Sequence, residues 1–322
     1  MVNDSTAGSL PTRASARPYA VPAGAFEPGA GAHPGREIWS AIGFLLPGFL
    51  GLFAFLIFPL VASLCLSFTN WRIIGRTSFV GLDNFVSAFT TDPVFWQVLG
   101  NTILFTVEYL VLNIVLSLGL AVCISNLKFG KQLFRLIFFL PTFAPLVGAS
   151  VVWLLIFIPG GFLDWLMGAL HIPLPNLITD PIWAMQTIVI VSLWAGFGYN
   201  LLLFGAALES IPQQYIDAAA VDGASAWQRF WQVKLPLISP SLFFGIVLTA
   251  ITSLQVFDQV YTLTRGGPGA ATQTLGYKIY RDGFISYNFG YASAIAWILF
   301  VIIMALTAMQ LRLQSRWVHY DV

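Results

Sequence analysis

The chain has 322 residues, of which 57% are apolar, 15% aromatic and only 9% charged. A water-soluble domain carries about a quarter of its residues as charges, so most of this outer surface must meet lipid and an ordinary soluble fold is excluded. Fifteen basic residues against fourteen acidic ones leave a net charge of +1, which gives no electrostatic basis for a nucleic-acid partner.

Residues 1–37 are rich in Ala, Pro, Gly and Ser with few large hydrophobes, and read as a disordered tail. No compact basic, apolar and cleavage-site order occupies the start, so the first apolar run reads as an uncleaved span. Six runs are long enough for a hydrocarbon core that needs about 20 helical residues. They are Ile42–Leu66, Thr102–Ile124, Leu133–Ile158, Met185–Leu208, Leu242–Leu263 and Ala292–Leu311. Alternating strands of barrel length are absent, which leaves the helical way of satisfying the backbone in lipid. Residues 38–322 are therefore expected to form an all-α, six-helix membrane domain. Cys65 and Cys123 lie in or beside apolar runs and read as buried, inert thiols.

Polar residues inside the runs are costly in lipid and are expected to face the bundle or a wet path. The second run holds Glu108 and Asn113, the fourth Asn200, and the fifth Gln255 and Asp258. Aromatic faces that suit a sugar route lie nearby in Trp194, Phe197, Tyr199, Phe257 and Tyr261. Hydrogen bonding between helices and belt aromatics is the competing reading for each.

Between the fourth and fifth runs lies "YIDAAAVDGASAWQRFWQVKLPLISP", Tyr215 to Pro240. Pro212 suits a first helical turn with Ser210 as a cap ahead of it. Asp222 and Gly223 interrupt the helix, glycine being the residue that tolerates positive φ. Ser225 and Gln228 match a capping box that opens a second short helix through Trp227, Phe230 and Trp231, expected to end near Pro236. Two readings stand: an interfacial hairpin anchored by its tryptophans, or a stiff docking knob for a soluble partner. After the fifth run, Gly266, Gly267, Pro268 and Gly269 form a breaker cluster flanked by Arg265, Lys278, Tyr280 and Arg281.

Ten basic residues fall on the tail, the second-to-third connection, the 210–238 stretch and the C-terminus: Arg13, Arg17, Arg36, Lys128, Lys131, Arg135, Arg229, Lys234, Arg312 and Arg316. The opposite side has Arg72, Arg76, Arg265, Lys278 and Arg281. The bias predicts that both termini and the 210–238 stretch are cytoplasmic.

The order Asp217, Ala218, Ala219, then Asp222, Gly223, Ala224, closing on Phe230, Val233, Leu235 and Pro236, resembles the signature loop of permease subunits in binding-protein-dependent ABC importers. Asp217 stands where that pattern usually has Glu. "FVGLDNF", Phe79 to Phe85, and "YTLTRGGPGAATQTLGYKIYRDGF", Tyr261 to Phe284, resemble phrases of the carbohydrate-uptake branch, the maltose-type and glycerol-3-phosphate-type first subunits. The resemblance implies a type I ABC importer permease fold in a prokaryotic plasma membrane. It further implies a second permease, two cytoplasmic ATPases holding ATP and Mg, and an extracytoplasmic solute-binding protein as partners. Asp217, Ala218, Ala219, Asp222, Gly223, Ala224 and Phe230 would then carry ATPase coupling. Glu108, Asn113, Asn200, Gln255, Phe257, Asp258 and Tyr261 would line the path of a sugar or sugar-like solute. Gly266, Gly267, Pro268 and Arg281 would face the binding protein, with Arg265, Lys278 and Tyr280 beside them.

The chain has no G-x-x-x-x-G-K-[ST] loop; Gly130 and Lys131 are followed by Gln132, so a cofactor-free transport subunit powered by a partner is expected rather than an enzyme. His33, His171 and His319 are far apart in sequence and show no metal-ligand spacing. A proton- or sodium-coupled carrier is the rival class; it needs ion-site carboxylates in broken helices, for which the lone Glu108 is thin support. A membrane enzyme would need paired carboxylates, clustered histidines or an activated nucleophile near one face, which are absent.

Overall fold

The structure, a computed structural model, describes residues 34–73, 75–315 and 318. Most of the expected tail, together with His33, Arg13, Arg17, Arg316 and His319, lies outside them. Chain contacts divide the protein into a unit ending at Pro59 and a unit from Leu60 onward.

The first unit is helical from Pro34: α1 (Pro34–Leu52) runs into a π-helical turn at Phe53–Ile57. Phe58 N–H closes that wide turn on the Phe53 carbonyl, one residue before Pro59. A proline ring clashes with the carbonyl four residues back and has no N–H to offer, so a wider turn at this point keeps the helix going. The helix continues as α2 (Phe58–Ser67) and completes an apolar span, Ala41–Ser67, none of whose core window is buried.

In the second unit, α3 (Asp83–Thr90) is a short amphipathic helix outside the spans. Its approach is fixed by Asn84, whose side-chain amide donates to the Ser67 and Thr69 carbonyls at 2.8 Å each. The unit is organised by α4 (Phe95–Ser125) and α8 (Pro181–Ser210), which lie side by side over much of their length. More than half of the α8 window is buried, making it the central helix. Asp180 starts it by accepting from the Ile182 and Trp183 N–H groups, with Pro181 in the first turn.

Two of the expected runs are broken. Leu133–Ile158 is not one helix but α5 (Lys131–Phe139), a 3₁₀ turn at Leu140–Phe143 and α6 (Leu146–Phe157), which reaches spanning length only with α7 (Phe162–Ala169). Pro145 forces Ala144 into an extended conformation, φ −69° and ψ 131°. The end of α5 and the 3₁₀ turn also sit close on α8: a Cβ at Gly198 would lie 2.5 Å from the Phe138 carbonyl and 3.1 Å from Thr142 Oγ1. The expected Leu242–Leu263 span stops early, because α12 (Ser239–Leu254) ends at Gln255. The chain then turns through Val256 and Phe257 before a π-helical segment at Val260–Thr264. Short α13 (Leu275–Tyr280) and the final span α14 (Phe289–Gln314) follow. Five helices of the described residues are long and apolar enough to cross a membrane, or six if a bent pair ending in α12 is one span.

Cys65 and Cys123 are exposed rather than buried. On a bundle bathed in lipid, apolar residues are favoured on the outside too, so an apolar neighbourhood in sequence does not report burial here.

Candidate functional site

The 210–238 stretch forms a rigid two-helix element. Helix α9 (Gln213–Val221) begins after Pro212, which is its N-cap residue with φ −60° and ψ 130°. Ser210 does not cap it: its hydroxyl turns back and donates to the Ala207 carbonyl at 2.8 Å. The C-terminus closes as a Schellman motif, with Ala224 N–H donating to the Ala219 carbonyl at 2.9 Å and Gly223 N–H to Ala220 at 3.1 Å. That closure needs Gly223 at φ +82°, and a Cβ there would have nothing within 4 Å. The glycine is demanded by backbone conformation alone, not by space.

Ser225 and Gln228 then form the expected reciprocal box: Gln228 N–H donates to Ser225 Oγ at 3.3 Å and Ser225 N–H to Gln228 Oε1 at 2.8 Å. Helix α10 (Ala226–Arg229) passes through a π turn, Phe230–Lys234, into α11 (Leu235–Leu237), which bends by 70° into α12. The helix therefore passes through Pro236 and ends at Leu237, near the expected point. Leu235 N–H reaches the Phe230 carbonyl, the same widened turn ahead of a proline as at Pro59.

Asp217, Ala218, Asp222 and Gly223 are exposed on this element, while Ala219, Ala224 and Phe230 are half-buried. Asp217 Oδ1 accepts from Gln213 Nε2 at 2.9 Å, one turn back. Trp227, Phe230 and Trp231 pack edge-on and tilted against one another. The element joins the bundle beside the α5–α8 ion pair, in which Arg135 grips both oxygens of Glu209 at 2.9 and 2.6 Å.

Inside the bundle, Asn113 and Asn200 meet. Asn200 Nδ2 donates to Asn113 Oδ1 at 2.7 Å and to Thr249 Oγ1 at 2.8 Å, tying α4, α8 and α12 together. Asn113 Nδ2 donates to Tyr109 at 3.2 Å, and Ser117 donates to the Phe197 carbonyl at 2.9 Å. Both asparagines are almost fully buried, so in this conformation they join helices. Asn200 Oδ1, buried, has no hydrogen-bond partner among the described residues. Glu108 accepts from Gln186 Nε2 at 3.0 Å.

Gln255, Phe257 and Asp258 sit at the break after α12 and line a cleft of about 330 Å³ together with Tyr109, Thr142, Ser192 and Thr252. Phe257, Tyr261 and Tyr280 form a ring cluster with centroids 5.2–5.5 Å apart. Hydroxyls, an amide, a carboxylate and aromatic faces thus converge, a donor set suited to a polyhydroxylated solute. Trp194 packs on Trp153, Phe197 is buried and Tyr199 is exposed.

The breaker cluster is a built loop. Gly266 has φ +78°, and a Cβ on it would meet Gln273 at 2.5 Å and Tyr277 at 2.8 Å. Thr272 donates to the Gly267 carbonyl at 2.7 Å. Asn101 of α4 donates to the Ala270 and Gln273 carbonyls at 2.8 and 3.0 Å. Arg281 donates to Gln273 Oε1 at 2.9 Å and remains partly open.

Lys278 is not at a rim. It is 1% exposed, with Nζ 2.6 Å from Asp92 and 3.0 Å from Asp282. Tyr291 also donates to Asp92 at 2.6 Å. Burial pushes the Asp92 carboxyl upward, but hydrogen bonds from Lys278, Tyr291 and the Val94 N–H outweigh it and hold the group below its ordinary value. Asp92 and Gln186 escaped the sequence reading because their partners are 186 and 78 residues away. Tyr109, Asn113 and Ser117 stand at four-residue spacing, and that periodicity is a signal that identifies a shared face.

Residues 114–319 match a family described as "Binding-protein-dependent transport system inner membrane component". The chain is 34% identical, over 86% of its length and 91% of the relative, to the probable ABC transporter permease protein YesP of Bacillus subtilis. It is 37% identical, over 76% of its length and 83% of the relative, to the sn-glycerol-3-phosphate transport system permease protein UgpA of Agrobacterium fabrum. A solved bacterial alginate ABC transporter, crystallised with an alginate pentasaccharide-bound periplasmic protein, superposes with a TM-score of 0.77 at 21% identity, covering 87% of this chain and 96% of that one.

Proposed function

The chain belongs to the family of binding-protein-dependent transport system inner membrane components, and from that premise we propose that it forms half of a sugar or sugar-phosphate import path. It is a multi-pass membrane permease subunit, not an enzyme, of the carbohydrate-uptake branch. Its partners in this reading are a second permease, two ATPases that bind ATP and Mg, and an extracytoplasmic binding protein. Residues 38–322 make the permease domain, with both termini on the cytoplasmic side. Membership in the family removes the support for an ion-coupled carrier.

The observation that carries the proposal is the 210–238 element: two short helices locked by a Schellman closure and a capping box, presenting Asp217, Ala218, Asp222 and Gly223 outward. Small exposed residues on a stiff element allow close backbone approach by a soluble ATPase, and stiffness transmits its motion to α8 and α12. The solute meets the Gln255–Tyr261 cleft and aromatic cluster, and the loop at Gly266, Gly267, Pro268 and Arg281 meets the binding protein. Glu108, Asn113 and Asn200 become accessible to solute only if the α4–α8–α12 contact opens during transport. Sugar and glycerol-phosphate transport in the names of relatives supports the solute class.

The test is ATP hydrolysis by the assembled complex in lipid vesicles with its binding protein, adding maltose, trehalose and glycerol 3-phosphate separately. Stimulation by one solute is expected; stimulation that persists unchanged when Gly223 is replaced by Val would overturn the coupling role.

A further inference from the structure

A cleft of about 910 Å³ lies between the C-terminal part of α4, the end of α8 and the 210–238 element. Its size is at the upper end of small-ligand sites, and its walls are of two kinds. One is apolar and made by the spanning helix α4, through Val115 and Val122. Val115 is 66% exposed, so this wall opens directly onto the lipid-facing side of the span. The other wall is cationic, with Lys131, Arg229 and Lys234.

Among the described residues none of these three cations makes an ion pair with a carboxylate, although Lys131 lies within electrostatic reach of Glu209. Glu209 also lines the cleft, but both its oxygens are held by Arg135. Lys131 gives one hydrogen to the Ser125 carbonyl at 2.7 Å and keeps two. Arg229 Nε is buried without a hydrogen-bond partner among the described residues, which is costly for a guanidinium N–H unless an acceptor reaches it. Trp227 and Trp231, 69% and 49% exposed, stand at the mouth, where amphipathic rings sit at headgroup level.

An apolar wall on a spanning helix that leads to three cations lining the same cleft and two tryptophans matches one molecule end to end. We propose that this cleft binds an anionic phospholipid, with its phosphate between Lys131, Arg229 and Lys234 and an acyl chain along Val115 and Val122. Basic pockets between spanning helices are suited to such headgroups. A soluble acidic protein would match the cations but not the α4 wall. A bound lipid would join α4 to the 210–238 element at the point where the two diverge.

The complete transporter is reconstituted in vesicles of phosphatidylcholine and phosphatidylglycerol with matched chains, then examined by native mass spectrometry. Phosphatidylglycerol is expected to remain bound in preference to phosphatidylcholine. Replacing Lys131, Arg229 and Lys234 together by Gln should weaken its retention roughly a hundredfold, about fivefold per cation. Lys128→Gln with Arg312→Gln, outside the cleft, should leave retention as it is. Equal retention of both lipids, or the same loss in the control variant, overturns the proposal. Should the triple variant fail to assemble, the unaltered cations are probed with brominated lipids. Brominated phosphatidylglycerol should quench more tryptophan fluorescence than brominated phosphatidylcholine, and the excess should vanish in Trp227→Phe/Trp231→Phe; equal quenching by the two lipids refutes the site.

Discussion

Gly223 and Gly196 show two different reasons for a glycine. At Gly223 the surroundings are open and only φ +82° forbids a side chain. A β-branched residue in that region costs on the order of 1–2 kcal/mol locally, so Gly223→Val should unlock the Schellman turn and abolish solute-stimulated ATP hydrolysis while the complex still assembles. Gly196 has an ordinary φ, but a Cβ there would collide with the Tyr109 hydroxyl. Gly196→Val should therefore lower the thermal midpoint of the purified complex, which Gly223→Val should not. Asn113→Leu is nearly the same size but leaves one Asn200 amide hydrogen short of an acceptor, while Ser117 keeps the Phe197 carbonyl. Membrane double-mutant cycles put such a hydrogen bond at about 0.6 kcal/mol on average and at most about 1.7, so a small loss of midpoint is expected, with assembly retained.

At the scale of elements, the 265–288 segment is latched to the start of α4 by Asp92, Lys278, Asp282 and Tyr291. Because the folded Asp92 carboxyl titrates below its ordinary 3.8, its contribution is fully present above 3.8 and is lost as pH falls through the still lower folded value. Amide exchange in residues 265–288 should thus be flat from pH 5 to 8 once corrected for intrinsic rates, and rise only in stronger acid. Asp92→Asn should raise it across pH 5 to 8 and converge with the wild type in stronger acid. The destabilisation should fall below the roughly 3–5 kcal/mol typical of stripping a buried charge of its sole partner, since Asp282 still faces the ammonium. On the other side of the bundle, Ser225→Ala removes one half of the capping box and should cost about 1 kcal/mol. Circular dichroism of the whole complex will barely register so short a helix. Faster proteolysis at residues 222–226 is the suitable readout.

For the molecule as a whole, chain contacts divide the protein after Pro59, within the first span, while α8 lies at the centre of the unit that starts at Leu60. The cleft at the α12 break and the 210–238 element are both built on α8 and its neighbours α4 and α12. Motion imposed on the element therefore has a direct mechanical route to the Asn113–Asn200–Thr249 junction. A disulfide-free cross-link that prevents α4 and α12 from separating at this junction should block uptake while ATP hydrolysis persists without solute dependence. Uptake that survives such a link would show that the junction does not open during transport.

Composition and run length alone determined that the chain is a helical membrane protein, because a bilayer demands long apolar segments and internally satisfied backbone. Local chemistry was equally readable at the 210–238 element: Ser225 with Gln228, and Gly223 after Asp222, act over four or five residues, so their roles were visible without a fold. Where helices break was less legible. Pro141 and Pro145 stop one run while Pro59 and Pro236 are carried through by widened turns, and the choice depends on how each segment packs. The partners of Lys278, Asn200 and Glu108 were decided only by tertiary structure. In lipid the apolar pattern does not separate inside from outside, and a buried charge is matched by residues that the folded chain brings from nearly two hundred positions away.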